Sequence, residues 1–223
     1  MAQPYDEVIV LAGGDPVDVE AAGSLPPGAF VVAADGGLHL AAPLGLHVDL
    51  VVGDLDSVDP TVLAAAERAG TVVERHPVDK ERTDLALALD AGVGTGARRI
   101  TVVGGAGGRA DHLLANWLLL AADAYASCVV RARSAIARTD VVRPGTTTQL
   151  SGPLGALISL LPVHGPARGV RTSGLTFPLD GEDLLPGTSR GVSNRFHARR
   201  ATVSLTEGVL LAVRPLTHTE PAT

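Results

Sequence analysis

Between residues 7 and 132, short apolar runs alternate with helix-like stretches, and run after run stops at glycine or aspartate. EVIVLA (7–12) stops at Gly13-Gly14, AFVVAAD (29–35) at Asp35-Gly36-Gly37, and DLVV (49–52) at Gly53-Asp54. TVVERH (71–76) leads to Pro77 and Asp79, RITVVGG (99–105) ends in glycines, and SCVVRA (127–132) follows a helix. Short continuous runs of Val, Ile and Leu are the pattern of strands buried on both faces. Between them, PTVLAAAERAG (60–70) has proline at a helix start and glycine at its end. TDLALALDAG (83–92) opens on a threonine able to cap, and RADHLLANWLLLAADA (109–124) carries a helical apolar stripe. The alternation predicts an α/β domain over 1–143 built on a mostly parallel, Rossmann-like sheet.

The texture changes after about Pro144. GALISLLPVHG, VRTSGLTFPL and ATVSLTEGVLLAVRPL are short apolar or alternating runs separated by Gly and Pro. They predict a small all-β sandwich or barrel over 144–223, with VRPGTTT (142–148) as the junction and a frayed tail after Pro215.

Composition excludes several functions. The net charge is −6 and aromatics make up 3% of the chain, which leaves neither the basic surface nor the stacking platform of a nucleic-acid binder. No apolar run is long enough to span a bilayer, and MAQPYDEVIV lacks the basic-then-apolar order of a signal peptide, so a soluble cytoplasmic protein without a membrane partner is expected. Cys128, the only cysteine, excludes an intrachain disulfide and a multi-cysteine zinc site; its place in SCVVRA predicts buried packing.

Parallel α/β sheets collect ligands beyond the carboxyl ends of their strands, which is where the glycines and carboxylates stand here. Asp54 and Asp56 of GDLDS, with Asp84 at the head of a later helix, suit Mg²⁺, which takes one or two carboxylates together with nucleotide phosphates. Gly-Asp and Asp-Ser are also ordinary turn pairs, and Asp59 before Pro60 reads as a helix cap. The glycine turns at Gly13-Gly14, Gly36-Gly37 and GGAGGR would let backbone N–H groups approach phosphate closely. Arg109 could reach phosphate or be merely solvated, and Asp111 could cap the following helix or act directly. His112 could serve in acid–base work or be structural; Asn116 shares its side of the helix, while Trp117 packs. Lys80, the only lysine, lies between Asp79 and Glu81 and could touch phosphate or balance local charge. Neither G-x-x-x-x-G-K-[ST] nor G-x-G-x-x-G after the first strand is present. The residues by themselves reach a two-domain α/β-plus-β protein that binds Mg²⁺ and a phosphorylated ligand.

Taken in order, ADGG (34–37), GDLDS (53–57), DKERTDL (79–85), GGRADH with Asn116, TSGLTFPL (172–179) and GVSN (191–194) resemble the thiamine pyrophosphokinase family. The resemblance implies transfer of the terminal pyrophosphate of ATP to the hydroxyethyl group of thiamine, giving thiamine diphosphate and AMP. It implies a homodimer, with thiamine held where the β domain of one subunit meets the α/β domain of the other. It makes Asp54, Asp56 and Asp84 the Mg²⁺ ligands and, with Arg109, the catalytic residues. Gly13, Gly14, Asp35, Gly36, Gly37, Asp79, Lys80, Thr83, Arg109, Asp111, His112 and Asn116 would meet ATP. Phe177, Ser193 and Asn194 would line the thiamine pocket, although Phe177 reads equally well as a core residue. Two alternatives stay open: a pyrophosphokinase for another heterocyclic alcohol, such as a hydroxymethylpterin, and a non-catalytic nucleotide-binding module.

Overall fold

The computed structural model describes residues 5–216, so most of the tail after Pro215 lies outside the described residues. The chain divides into two compact units. One holds the residues up to Leu119 and Ser127–Ala135; the other holds Leu120–Ala126 and the residues from Ile136 onward.

The first unit carries β1 (Glu7–Ala12), β2 (Phe30–Ala34), β3 (Leu50–Gly53), β4 (Val72–Arg75), β5 (Arg99–Gly104) and β6 (Val129–Arg133). They run parallel in the order β6-β5-β1-β2-β3-β4. The apolar runs of β1, β2, β3 and β5 yield strands buried along nearly their whole length, as strands covered on both faces require. Edge strand β4, by contrast, is largely exposed and carries Glu74 and Arg75, and β6 alternates buried and less buried positions. Val8, Ile9, Val10 and Leu11 of β1 are fully buried. Strand order reverses at β1, since β2, β3 and β4 lie to one side of it and β5 and β6 to the other, and such a reversal opens a crevice at the carboxyl ends.

The helices are α1 (Val19–Ala22), α2 (Pro60–Arg68), α3 (Asp84–Gly94) and α4 (Ala110–Leu120). Asp59 caps α2 by accepting from Thr61 N at 2.7 Å, with Pro60 in the first turn, where its missing N–H costs nothing. Thr83 caps α3 by accepting from Ala86 N. Leu85, Ala86, Ala88 and Leu89 bury the inner face of α3. Asp111 does not cap α4: the helix begins at Ala110, which places Asp111 inside the first turn. ADGG does not form a simple turn but winds into a 3₁₀ segment, Asp35–Leu40, that buries Leu38 and Leu40. Cys128 is buried, and its thiol donates to Ala97 O at 3.1 Å.

The second unit is β-rich. It contains β7 (Ala137–Val142), β8 (Thr148–Ser151), β9 (Leu157–Pro162), β10 (Ala167–Ser173), β11 (Asp180–Leu184), β12 (Asn194–Arg195), β13 (Arg200–Ser204) and β14 (Leu210–Pro215). Antiparallel pairing gives β12-β9-β14-β7 and β11-β10-β13-β8. One core draws on both groups: Ile158 and Leu160 from β9, Leu210 and Ala212 from β14, Val170, Leu184, Val203 and the ring of Phe196. A boundary at 143/144 would leave β7 with the first unit. It belongs to the second because all its residues pair with β14, from Leu210↔Val142 to Pro215↔Ala137.

Candidate active site

The carboxyl ends of β2 and β3 and the start of α3 bring three carboxylates together. Asp35, Asp54 and Asp84 each offer an oxygen within 4.8 Å of the others, a grouping found among the described residues. Asp35 directly follows β2, Asp54 directly follows β3, and Asp84 is the first residue of α3 behind its Thr83 cap. The backbone is contorted to achieve this. Asp35 has φ 45° and Leu55 φ 64°, a region that non-glycine residues occupy at a cost and that clusters at functional sites. Gly53 has φ 146°, and a Cβ there would stand 3.0 Å from both Asp35 Cβ and Asp84 Oδ1. Glycine before Asp54 is therefore a requirement of the site as well as of the turn.

Lys80 bridges the group. Its Nζ donates to Asp54 Oδ2 at 3.0 Å and lies 3.0 Å from Asp84 Oδ1, with the three side chains only 13–26% exposed. Asp84 Oδ1 is paired with Lys80 by charge, and Asp84 Oδ1 and Asp35 Oδ1 are both buried without a hydrogen-bond partner among the described residues. The hydrogen bond from Lys80 holds the Asp54 carboxyl below its ordinary value, against the opposing pull of burial. Burial pulls the Lys80 ammonium down, but Asp84 and Asp54 outweigh it and hold it above the usual lysine value.

Asp56 stays outside this group. Left-handed Leu55 turns the chain between the two aspartates, so Asp56 is exposed and accepts from Ser57 Oγ at 2.9 Å. Asp79 is also exposed. Arg109 does not stand free: its guanidinium forks onto Asp111 at 2.6 and 3.2 Å, and both side chains are more than 60% exposed. That fork pulls Asp111 down to about 2. Asn116 donates to Gly105 O at 2.9 Å and so pins the glycine loop after β5, while His112 is exposed. Trp117 is half-buried.

The glycine turns pack backbone on backbone. A side chain on Gly14 would land on the carbonyl of Ala106, and one on Gly37 would land on that of Leu11. Gly13 and Gly36 stand at the same two turns, a Cβ on Gly13 lying 3.6 Å from Gly37 N. Asp15, which the sequence reading passed over, donates its N–H to Ala106 O at 2.6 Å and sets its carboxylate against Gly107. Its only signal was its place directly after Gly13-Gly14.

In the second unit, a cleft of about 300 Å³ is lined by Phe177, Leu179, Arg190, Val192 and Asn194, among others. Phe177 is 58% exposed and is not a core residue; Phe196 fills that role. Buried Asn194 clamps Phe177, accepting from its N–H at 3.0 Å and donating to its carbonyl at 2.7 Å. Exposed Ser193 donates its N–H to Ser159 Oγ at 3.1 Å with φ 57°. A larger concavity of about 730 Å³ lies in the first unit, against Tyr5, Ala29 and Asp49. Those residues precede β1, β2 and β3, so it opens at the amino ends of the strands, opposite the carboxylates.

Strained acidic turns at the carboxyl ends of parallel strands, followed in sequence by a β-rich unit with its own cleft, define a two-domain class with one α/β half and one β half. The model of the thiamin pyrophosphokinase catalytic domain matches residues 26–130, and that of the thiamin pyrophosphokinase vitamin B1 binding domain matches 147–210. The chain belongs to the thiamine pyrophosphokinase family. It is 27% identical over 162 residues to the thiamine pyrophosphokinase of Bacillus subtilis (strain 168), covering 73% of this chain and 76% of the relative. The crystal structure of a thiamine pyrophosphokinase from Bacillus subtilis superposes with a TM-score of 0.81 at 24% identity, covering 95% of this chain and 99% of that one. The thiamin pyrophosphokinase of Geobacillus thermodenitrificans gives 0.78 at 25% identity, over 96% and 99%.

Proposed function

We propose that the chain is a thiamine pyrophosphokinase. The hydroxyethyl oxygen of thiamine attacks the β-phosphorus of ATP, the bond from that phosphorus to the α–β bridging oxygen breaks, AMP leaves, and the hydroxyl proton is released. The observation that carries this reading is the match of both family models, in order, to a chain whose first unit gathers three carboxylates at the strand ends. The other acceptors and the non-catalytic reading have no comparable support.

The carboxylate group fits a divalent cation. Its donors are hard oxygens, and two of its inward oxygens accept no hydrogen bond. Asp54, Asp84 and Asp35 would hold Mg²⁺, with Asp56 adding charge from the same loop. Bound there, the cation would offset charge on the nucleotide phosphates. Gly13, Gly14, Gly36 and Gly37 keep the crevice turns bare of side chains, so that N–H groups meet phosphate. Arg109 would exchange Asp111 for a phosphate oxygen, a like-for-like swap of acceptors that its exposed position permits. In the second unit, the exposed face of Phe177, held by Asn194, would take the cationic thiazolium ring. A homodimer accompanies this reading, as the family resemblance implies it. The Rossmann-like reading of the first unit and the sandwich reading of the second accompany this assignment, as does a cytoplasmic location.

The test is AMP release from ATP and Mg²⁺ with and without thiamine, and with a hydroxymethylpterin in its place. Release that depends on thiamine is expected. Stimulation by the pterin alone would replace the acceptor, and ATP binding that neither alcohol stimulates would remove the enzyme reading.

A further inference from the structure

Three carboxylates within 4.8 Å of one another repel, and the chain sets its only lysine among them. Lys80 Nζ stands 3.0 Å from Asp54 Oδ2 and 3.0 Å from Asp84 Oδ1, and its side chain is 14% exposed. One ammonium against three carboxylates leaves the group two charges negative. We propose that Lys80 is an exchangeable counter-ion: its ammonium and a divalent cation compete for Asp54 Oδ2 and Asp84 Oδ1, so that entry of the cation expels Lys80 toward the nucleotide phosphates. The proposal rests on the reading of this group as the cation site.

Distance and charge carry the argument. Mg²⁺ bonds oxygen at about 2.0–2.1 Å. A cation on either oxygen would therefore stand within about 5 Å of an ammonium that remained 3.0 Å from that oxygen. Repulsion between a double and a single positive charge at that range far exceeds thermal energy even at an effective dielectric of about 20. The lysine is free to leave. It sits in the loop between β4 and α3, whose neighbours Val78, Asp79 and Glu81 are exposed, and a four-carbon stem can swing without moving the α3 cap. Its local backbone tie among the described residues is Lys80 N to Val78 O at 3.1 Å. The exchange gives the site a preference. A bare cation must displace the lysine without compensation, whereas a cation–nucleotide complex brings phosphates that take the displaced ammonium.

Mn²⁺ binding to the full chain, followed by calorimetry or electron paramagnetic resonance, tests the exchange with no reference to turnover. Lys80→Met and Lys80→Gln are expected to bind free Mn²⁺ at least tenfold more tightly than the wild type, and to lose affinity for Mn²⁺ with a non-hydrolysable ATP analogue. In the wild type, amine-directed labelling read by mass spectrometry is expected to show Lys80 shielded alone, reactive in millimolar Mn²⁺, and shielded again once the analogue is added. Unchanged Mn²⁺ affinity in both variants, or labelling indifferent to Mn²⁺, overturns the exchange and leaves the cation site standing. Asp84→Asn separates the two readings. If it does not weaken Mn²⁺ binding, the cation lies elsewhere, and the site assignment falls together with the exchange.

Discussion

Gly53→Ala should damage fold and site together. The new methyl would stand 3.0 Å from Asp35 Cβ and 3.0 Å from Asp84 Oδ1, at a backbone φ of 146° that L-residues rarely adopt. Holding alanine there costs about 1–3 kcal/mol, and the overpacking adds about 1–3 kcal/mol. The sum, roughly 2–6 kcal/mol, corresponds to a fall of roughly 4–24 °C in Tm for a chain of this size. Relief would come by pushing Asp35 and Asp84 apart, so Mn²⁺ affinity should fall as well. Gly94→Ala provides the control: it lies in α3 with no heavy atom near its added Cβ, and should be neutral or stabilising by up to about 1 kcal/mol. Calorimetric melts and Mn²⁺ titrations of the two variants decide the matter. If Gly53→Ala melts with the wild type and binds Mn²⁺ equally well, the claim that this glycine shapes the acidic group is wrong.

The remaining predictions address the charge pairing and the second unit. Asp54 is lowered from 3.8, so its pairing contributes fully above that value and is lost as pH falls through the lower folded value. Lys80 is raised from 10.5, so its contribution is complete below that value and is lost as pH climbs through the higher folded one. The stability difference between wild type and Lys80→Met, from urea melts, should therefore be flat between these limits and shrink beyond them. Phe177→Ala should change stability by less than about 0.5 kcal/mol, because the ring is exposed, yet raise KM for thiamine about 3- to 30-fold with kcat held. Asn194→Ala strands the Phe177 and Arg195 backbone groups that it bonds and should cost about 1–3 kcal/mol as well as thiamine affinity. Phe196→Ala removes a ring packed against Gly152 and should cost about 3–5 kcal/mol by denaturant melts, with the first unit's Mn²⁺ affinity untouched.

β1, β2, β3 and β5 were legible because a strand buried on both faces has little choice but to be apolar, and each of these runs then stops at a glycine or aspartate in the turn. Asp35, Asp54 and Asp84 were legible as chemistry at strand ends, since parallel topology sends all such ends the same way. What the sequence could not reveal is which carboxylates meet. Asp54 and Asp56 look equivalent in GDLDS until the left-handed φ of Leu55 turns one inward and the other out. Lys80 read as a phosphate contact or a local counter-charge; that it bridges Asp54 and Asp84 was not legible, because these partners are contributed by different elements, Asp54 after β3 and Asp84 at the start of α3. The pairing of Arg109 with Asp111 is short-range, yet two residues of opposite sign on one turn give no hint whether they face each other or a ligand. β7 was drawn to the wrong unit for a related reason: its partner β14 lies far along the chain, and pairing over such a separation leaves no local trace.

The most direct measurement is the identity and ratio of products from ATP, Mg²⁺ and thiamine, resolved by mass spectrometry, for the wild type and for Asp84→Asn. The account predicts thiamine diphosphate and AMP in equal amounts from the wild type, and a loss of both with Asp84→Asn at preserved fold. ADP with thiamine monophosphate, or full product from Asp84→Asn, would contradict it.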